Sequence, residues 1–187
     1  VVPDVRDARL AFRDRGDRPA MSPSFASRRA ADLDIAVYYP GSGTWYIQRS
    51  SGGTTVQNWG WSAAMPTPGD FDGDGSHDFA VFRPSTGAWW SANSTGFAVQ
   101  NLGGVNDRVV SGDFDGDGKS DVAIFRPSTG DWWYQSSINN AQLAVRWGIS
   151  TDLPVPADFD GDGKTDVAVY RTGTWYIINS ANGSTTT

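Results

Sequence analysis

The sequence predicts an all-β chain folded as a β-propeller of about four four-stranded blades. The first observation behind this is a repeat. The segment Asp78-Phe-Ala-Val-Phe-Arg-Pro-Ser-Thr-Gly-Ala-Trp-Trp90 returns as Asp121-Val-Ala-Ile-Phe-Arg-Pro-Ser-Thr-Gly-Asp-Trp-Trp133. It returns again as Asp166-Val-Ala-Val-Tyr-Arg-Thr-Gly-Thr-Trp-Tyr176, two residues shorter in the turn, and an earlier copy runs Asp34-Ile-Ala-Val-Tyr-Tyr-Pro-Gly-Ser-Gly-Thr-Trp-Tyr46. The leading aspartates are 44, 43 and 45 residues apart. That period exceeds leucine-rich and ankyrin units and suits a propeller blade. The second observation is the absence of a helical pattern after residue 33. The third is that all 21 acidic residues are aspartate, which favours helices less than glutamate does and points to turns and short-armed metal ligation.

The elements follow in order. Residues 1–29, with Arg6, Arg9, Arg13, Arg15, Arg18, Arg28 and Arg29, match no repeat and read as an irregular Arg-rich segment. Residues 30–187 then divide into blades at about 30–61, 66–104, 109–148 and 154–187. In the third blade Val122–Arg126 is a short, almost wholly apolar run, as a strand buried on both faces requires. Pro127-Ser-Thr-Gly130 supplies the fixed and the permissive φ of a turn, and Trp132–Ser136 is an aromatic-rich second strand. Residues 140–147 make a third strand, and Leu153–Asp158 leads into the next acidic loop. Pro154 and Pro156 lack donors on the same edge, which suits a strand with one hydrogen-bonding neighbour. The last copy stops where the earlier ones continue into an outer strand. Its blade is therefore expected to be completed by residues 1–25 or by a neighbouring chain, since an unfilled edge invites pairing.

The chemistry concentrates in three loops: Asp70-Phe-Asp-Gly-Asp-Gly-Ser-His-Asp78, Asp113-Phe-Asp-Gly-Asp-Gly-Lys-Ser-Asp121 and Asp158-Phe-Asp-Gly-Asp-Gly-Lys-Thr-Asp166. Calcium is a hard cation that takes six to eight oxygens. Carboxylates at loop positions one, three, five and nine converge if the chain turns sharply, and glycine at position six permits that turn. The predicted ligands are Asp70, Asp72, Asp74 and Asp78; Asp113, Asp115, Asp117 and Asp121; and Asp158, Asp160, Asp162 and Asp166. Position seven adds a backbone carbonyl, from Ser76, Lys119 and Lys164, giving three Ca²⁺ sites in all. No Glu stands at position twelve, where Val81, Ile124 and Val169 begin to fill a strand, so the loop is not flanked by helices. The first copy has Ala26, Arg28, Ala30 and Asp32 at the ligand places, and no metal is expected there.

These motifs, the acidic loop followed by Asp-Val-Ala-Val-Tyr/Phe-Arg and a Trp-Trp or Trp-Tyr strand, resemble the FG-GAP/VCBS repeat family. Its members form the propeller blades of integrin α-chain heads and of many secreted bacterial proteins. The resemblance covers residues 30–187. It implies a β-propeller, structural calcium on one rim, and a role in adhesion or in recognition of glycan or protein. The four aspartates of each loop are the ligands it implies.

Several functions are set aside. The net charge is −6, and residues after 33 carry twice as many acids as bases, so no nucleic-acid groove is expected. Cysteine is absent, which excludes disulfides and thiolate zinc sites. No apolar run is long enough to span a bilayer, and the chain opens on Val1, as a mature product or fragment would. The lone histidine, His77, falls inside a metal loop. Carboxylates that hold calcium suit neither a proton donor nor a nucleophile, so no catalytic residue is predicted and the chain is read as non-catalytic. Neighbours on a strand face opposite ways, so of the aromatic pairs Trp45–Tyr46, Trp89–Trp90, Trp132–Trp133 and Trp175–Tyr176 one set packs between blades. Tyr46, Trp90, Trp133 and Tyr176 are the candidates for a ligand-binding edge. Cytosolic calcium would leave sites of extracellular-module affinity empty, so an extracellular or cell-surface location is expected. Two roles remain: recognition of glycan or extracellular protein, or a structural subunit that forms a homo-oligomer or filament through its unfinished edge.

Overall fold

A computed structural model describes residues 9–10, 35–49, 52–94 and 96–187. Four four-stranded antiparallel sheets follow one another as the blades of a four-bladed β-propeller, each in chain order. The first holds β1 (Arg9–Leu10), β2 (Ile35–Tyr39), β3 (Thr44–Gln48) and β4 (Thr54–Asn58). The second holds β5 (Met65–Pro66), β6 (Phe79–Arg83), β7 (Ala88–Asn93) and β8 (Gly96–Asn101). The third holds β9 (Arg108–Gly112), β10 (Asp121–Arg126), β11 (Asp131–Gln135) and β12 (Gln142–Arg146). The fourth holds β13 (Leu153–Pro154), β14 (Val167–Arg171), β15 (Thr174–Ile178) and β16 (Thr185–Thr186). No helix occurs among the described residues.

The third blade matches its sequence reading closely. β10 carries Val122, Ala123, Ile124 and Phe125 at 0–3% exposure, the both-faces burial that its apolar run requires. The turn after it closes with Gly130 N–H donating to Arg126 O at 2.9 Å. Gly130 takes φ 75°, and a Cβ there would meet Gly148 O at 2.3 Å, so only glycine fits. β13 is shorter than predicted, two residues, because Pro154 and Pro156 remove donors; Val155 N–H still reaches Ala168 O at 2.9 Å.

The completing strand differs from the expectation. β1 pairs with the first blade, Arg9 opposite Tyr38 and Leu10 opposite Val37, in the place that β5, β9 and β13 take in their blades. The fourth blade supplies its own outer strand, with Thr186 opposite Ile177 and Thr185 opposite Ile178. The reason lies in the repeat phase. An inner strand precedes each acidic loop, so the first blade has to draw its inner strand from upstream of its degenerate loop. That loop, with Ala26, Arg28, Ala30 and Asp32, lies outside the described residues.

Three hydrophobic seams join successive blades. Tyr38, Phe82 and Phe125 stand opposite Trp45, Trp89 and Trp132 in the strand register, with ring centroids 5.1, 5.3 and 5.5 Å apart. Each tryptophan Nε1 donates to a carbonyl beyond the outer strand, of Trp59, Leu102 and Trp147, at 2.8–2.9 Å. The next blade offers Val81 to the first seam, Val122 and Ile124 to the second, and Val167 and Val169 to the third. Burying one such tryptophan removes about 150–250 Å² from water, roughly 4–6 kcal/mol as an upper figure. The repeated arginines pin the strand ends. Arg126 pairs with Asp107 at 2.9–3.0 Å and Arg171 with the buried Asp152 at 2.6–2.8 Å, while Arg83 lies 4.2 Å over the Trp61 ring.

Candidate metal centres

Each acidic loop bridges an inner strand and the long central strand of one blade, at the same end of the blade every time. Two glycines per loop take positive φ: Gly73 and Gly75, Gly116 and Gly118, Gly161 and Gly163, between 81° and 93°. L-residues rarely adopt this backbone, and it curls each loop around its first carboxylate. Asp70 Oδ1 accepts from Gly73 N–H at 2.7 Å and Asp74 N–H at 3.1 Å, and its Oδ2 accepts from Gly75 N–H at 2.9 Å. Asp113 and Asp158 repeat the pattern with Gly116, Gly118, Gly161 and Gly163.

The curl brings three carboxylates of each loop together. Asp70, Asp72 and Asp78 form one group, Asp113, Asp115 and Asp121 a second, and Asp158, Asp160 and Asp166 a third. Within each group one oxygen per residue lies within 4.8 Å of the others. Calcium–oxygen bonds run roughly 2.3–2.6 Å, so two oxygens on one ion are at most about 5 Å apart. The all-oxygen donor set and its spacing therefore fit a hard divalent cation. Asp74, Asp117 and Asp162 stand outside these trios. Their Oδ1 atoms accept from the N–H groups of Ser76, Lys119 and Lys164, each at 2.8 Å.

The position-nine aspartates are buried, with Asp78, Asp121 and Asp166 at 6%, 1% and 0% exposure. Each accepts from the N–H of the loop's phenylalanine, Phe71, Phe114 or Phe159, at 2.7–2.9 Å. Burial pushes the Asp78 carboxyl up to about 7, with the charges of Asp72, Asp70 and Asp74 adding to it. Burial likewise lifts Asp121 to about 6, opposed by the Ser137 N–H and reinforced by Asp115. Burial works to raise Asp72 as well, yet hydrogen bonds from Ser94 and the Asp74 N–H hold it below the ordinary value. Like charges held this close favour either a proton or a cation.

Two features of the site escaped the sequence reading. Ser94, Ser137 and Ser180 recur after the aromatic strand. Ser94 N–H and Oγ–H donate to Asp72 Oδ2 at 3.0 and 2.5 Å, Ser137 N–H to Asp121 at 2.7 Å, and Ser180 N–H to Asp166 at 2.6 Å. Their constant place in the repeat was the available signal. The loops are also latched to one another. Ser120 N–H donates to Asp70 O and Thr165 N–H to Asp113 O, both at 2.6 Å, and Asp70 N–H donates to Ser120 Oγ at 3.0 Å. Position eight of one loop therefore clamps position one of the loop before it. His77 occupies that position in the first loop.

The aromatic candidates divide between seams. Trp90, Trp133 and Tyr176 are half-buried against the first, second and third seams. Tyr46 is half-buried on the corresponding face of the first blade. The indole N–H groups of Trp90 and Trp133 are buried without a protein partner.

A repeated blade with an oxygen-lined acidic loop defines the class: a propeller built from acidic-loop repeats. The FG-GAP-like repeat signature matches residues 70–124 and 113–169, and the chain belongs to that family. No curated protein and no solved structure matches it.

Proposed function

We propose that the chain is a non-catalytic, calcium-dependent recognition domain working outside the cell or at its surface. The observation that carries this reading is the threefold trio of Asp70, Asp72 and Asp78 and its two counterparts, with ligand oxygens within 4.8 Å in every copy. In each loop the position-one, -three and -nine carboxylates hold one Ca²⁺, with Asp74, Asp117 or Asp162 and the carbonyl of Ser76, Lys119 or Lys164 filling out the shell. The ion neutralises the clustered charge and fixes the loop. Through the Ser120 and Thr165 latches it also stiffens the junction between blades.

Glycan or extracellular protein is the partner class. A cleft of about 320 Å³ between the second and third blades is lined by Thr86, Asn101, Arg126, Trp133 and Gln142, which sets amide and guanidinium donors beside an aromatic ring. No helix of the described residues is long and apolar enough to cross a membrane. Outside the loops, Asp107 and Asp152 are committed to Arg126 and Arg171. Calorimetric titration with CaCl₂ tests the metal reading. Three Ca²⁺ per chain are expected, with two remaining in Asp113→Asn. No heat and no retained ion in equilibrium dialysis would overturn it.

A further inference from the structure

We infer that the outer face of the fourth blade docks the first blade of a second copy of this chain, head to tail. Each blade has two faces, and the three internal seams show what each face requires. The trailing face carries an aromatic on the central strand and the tryptophan opposite it. In the first three blades Tyr38, Phe82, Phe125 and Trp45, Trp89, Trp132 are 0–3% exposed. The loop phenylalanine joins the same face: Phe114 is 7% exposed in the third seam, and Phe71 packs against the second.

The fourth blade repeats this face, and among the described residues no blade packs over it. Tyr170 stands opposite Trp175 and Leu153 opposite Tyr170, so all three point the same way. Phe159 and Tyr170 meet the Trp175 ring at 5.9 and 5.5 Å. Yet Trp175 is 45% exposed, Phe159 43% and Leu153 53%. The leading face of the first blade is open in the same way. Val37 stands opposite Tyr46, and Tyr46 opposite Val56. Ile35 is 58% exposed, whereas its counterparts Val122 and Val167 are 3% and 7% exposed. Among the described residues no core cluster joins the fourth blade to the first.

The occupant follows from chemistry. Three times within this chain a Tyr/Phe–Trp face is covered by a Val/Ile-bearing leading face, and among the described residues the leading face left open is that of the first blade. A second copy brings that face. Two copies arranged head to tail fill both open faces of each. The first blade's strands of two, five, five and five residues and the fourth's of two, five, five and two, about 4.8 Å apart and rising roughly 3.4 Å per residue, give faces of about 280 and 230 Å². Two such seams bury about 1,000 Å², the least that a specific interface needs. The contact runs face to face and uses no loop carboxylate, so it stands or falls apart from the metal reading.

Sedimentation velocity of the full chain in calcium-containing buffer tests this. The chain is expected to run at twice its monomer mass. Trp175→Arg and Ile35→Arg, both at exposed positions, are each expected to run as monomers with unchanged far-UV circular dichroism. A wild-type monomer would overturn the inference. So would a dimer that survives both substitutions.

Discussion

Asp121→Ala removes the carboxylate that ties the second acidic loop to its blade. That carboxylate accepts from Phe114 N–H at 2.9 Å, from Asp115 N–H at 3.3 Å and from Ser137 N–H at 2.7 Å, at 1% exposure. Leaving a buried donor without a partner costs about 1–3 kcal/mol, so the two short bonds together represent roughly 2–6 kcal/mol. Relief of a carboxylate whose burial lifts it to about 6 offsets part of that loss, leaving a net cost of about 3 kcal/mol in chelator. Calcium adds a second contribution. At the affinity of an extracellular module, roughly 0.1 mM, millimolar Ca²⁺ stabilises each occupied site by about 1.4 kcal/mol. The substitution abolishes that contribution at its own site. For a chain of this size one kcal/mol moves Tm by about 2–4 °C. Calorimetric melts should therefore show a loss of about 6–12 °C in EDTA and a further 3–6 °C in calcium. An equal loss in both media would refute the metal role of Asp121 and leave it a backbone anchor. No loss in either would refute the hydrogen-bond hub as well.

Two further outcomes follow from the same geometry. In chelator, urea stability should fall as pH rises from about 5 to about 7.5. Asp78 and Asp121 titrate near 7 and 6 in the folded state against an ordinary 3.8, so the folded chain binds more protons than the unfolded one across this window. Saturating calcium takes the place of those protons and should flatten the slope; a rise in chelated stability with pH would contradict the burial of these carboxylates. Gly112→Ala should destabilise by about 1–3 kcal/mol, because its Cβ would lie 2.6 Å from Thr165 Oγ1 and 2.8 Å from its Cγ2. Thr165→Ala in the same chain should recover part of that loss in denaturant melts, and strict additivity of the two changes would disprove the contact between the end of β9 and the third loop.

The all-β class, the blade period and the three acidic loops were legible in the residues because each is a local property. A buried central strand reads as the run Val122–Arg126, and a loop that must curl around a carboxylate reads as Asp-Phe-Asp-Gly-Asp-Gly. What was not legible depends on partners distant in sequence. Ser120 and Thr165 look like ordinary loop residues until the next blade sets them against Asp70 and Asp113. Arg9–Leu10 carries no strand pattern of its own, and its strand identity comes from the open edge of β2.

The aromatic pairs show the division most plainly. Alternation along the strand established that Trp175 and Tyr176 face opposite ways, as do the pairs before them. Which faces meet protein was settled only by stacking blade on blade. That stacking turned Trp45, Trp89 and Trp132 into core while leaving the equivalent Trp175 at 45% exposure. The sequence alone determined the repeated unit and its acidic loops, since hydrogen-bonding pattern and φ preference act over a few residues. The tertiary structure decided which surfaces remain open, because burial depends on what stands on the far side of each sheet.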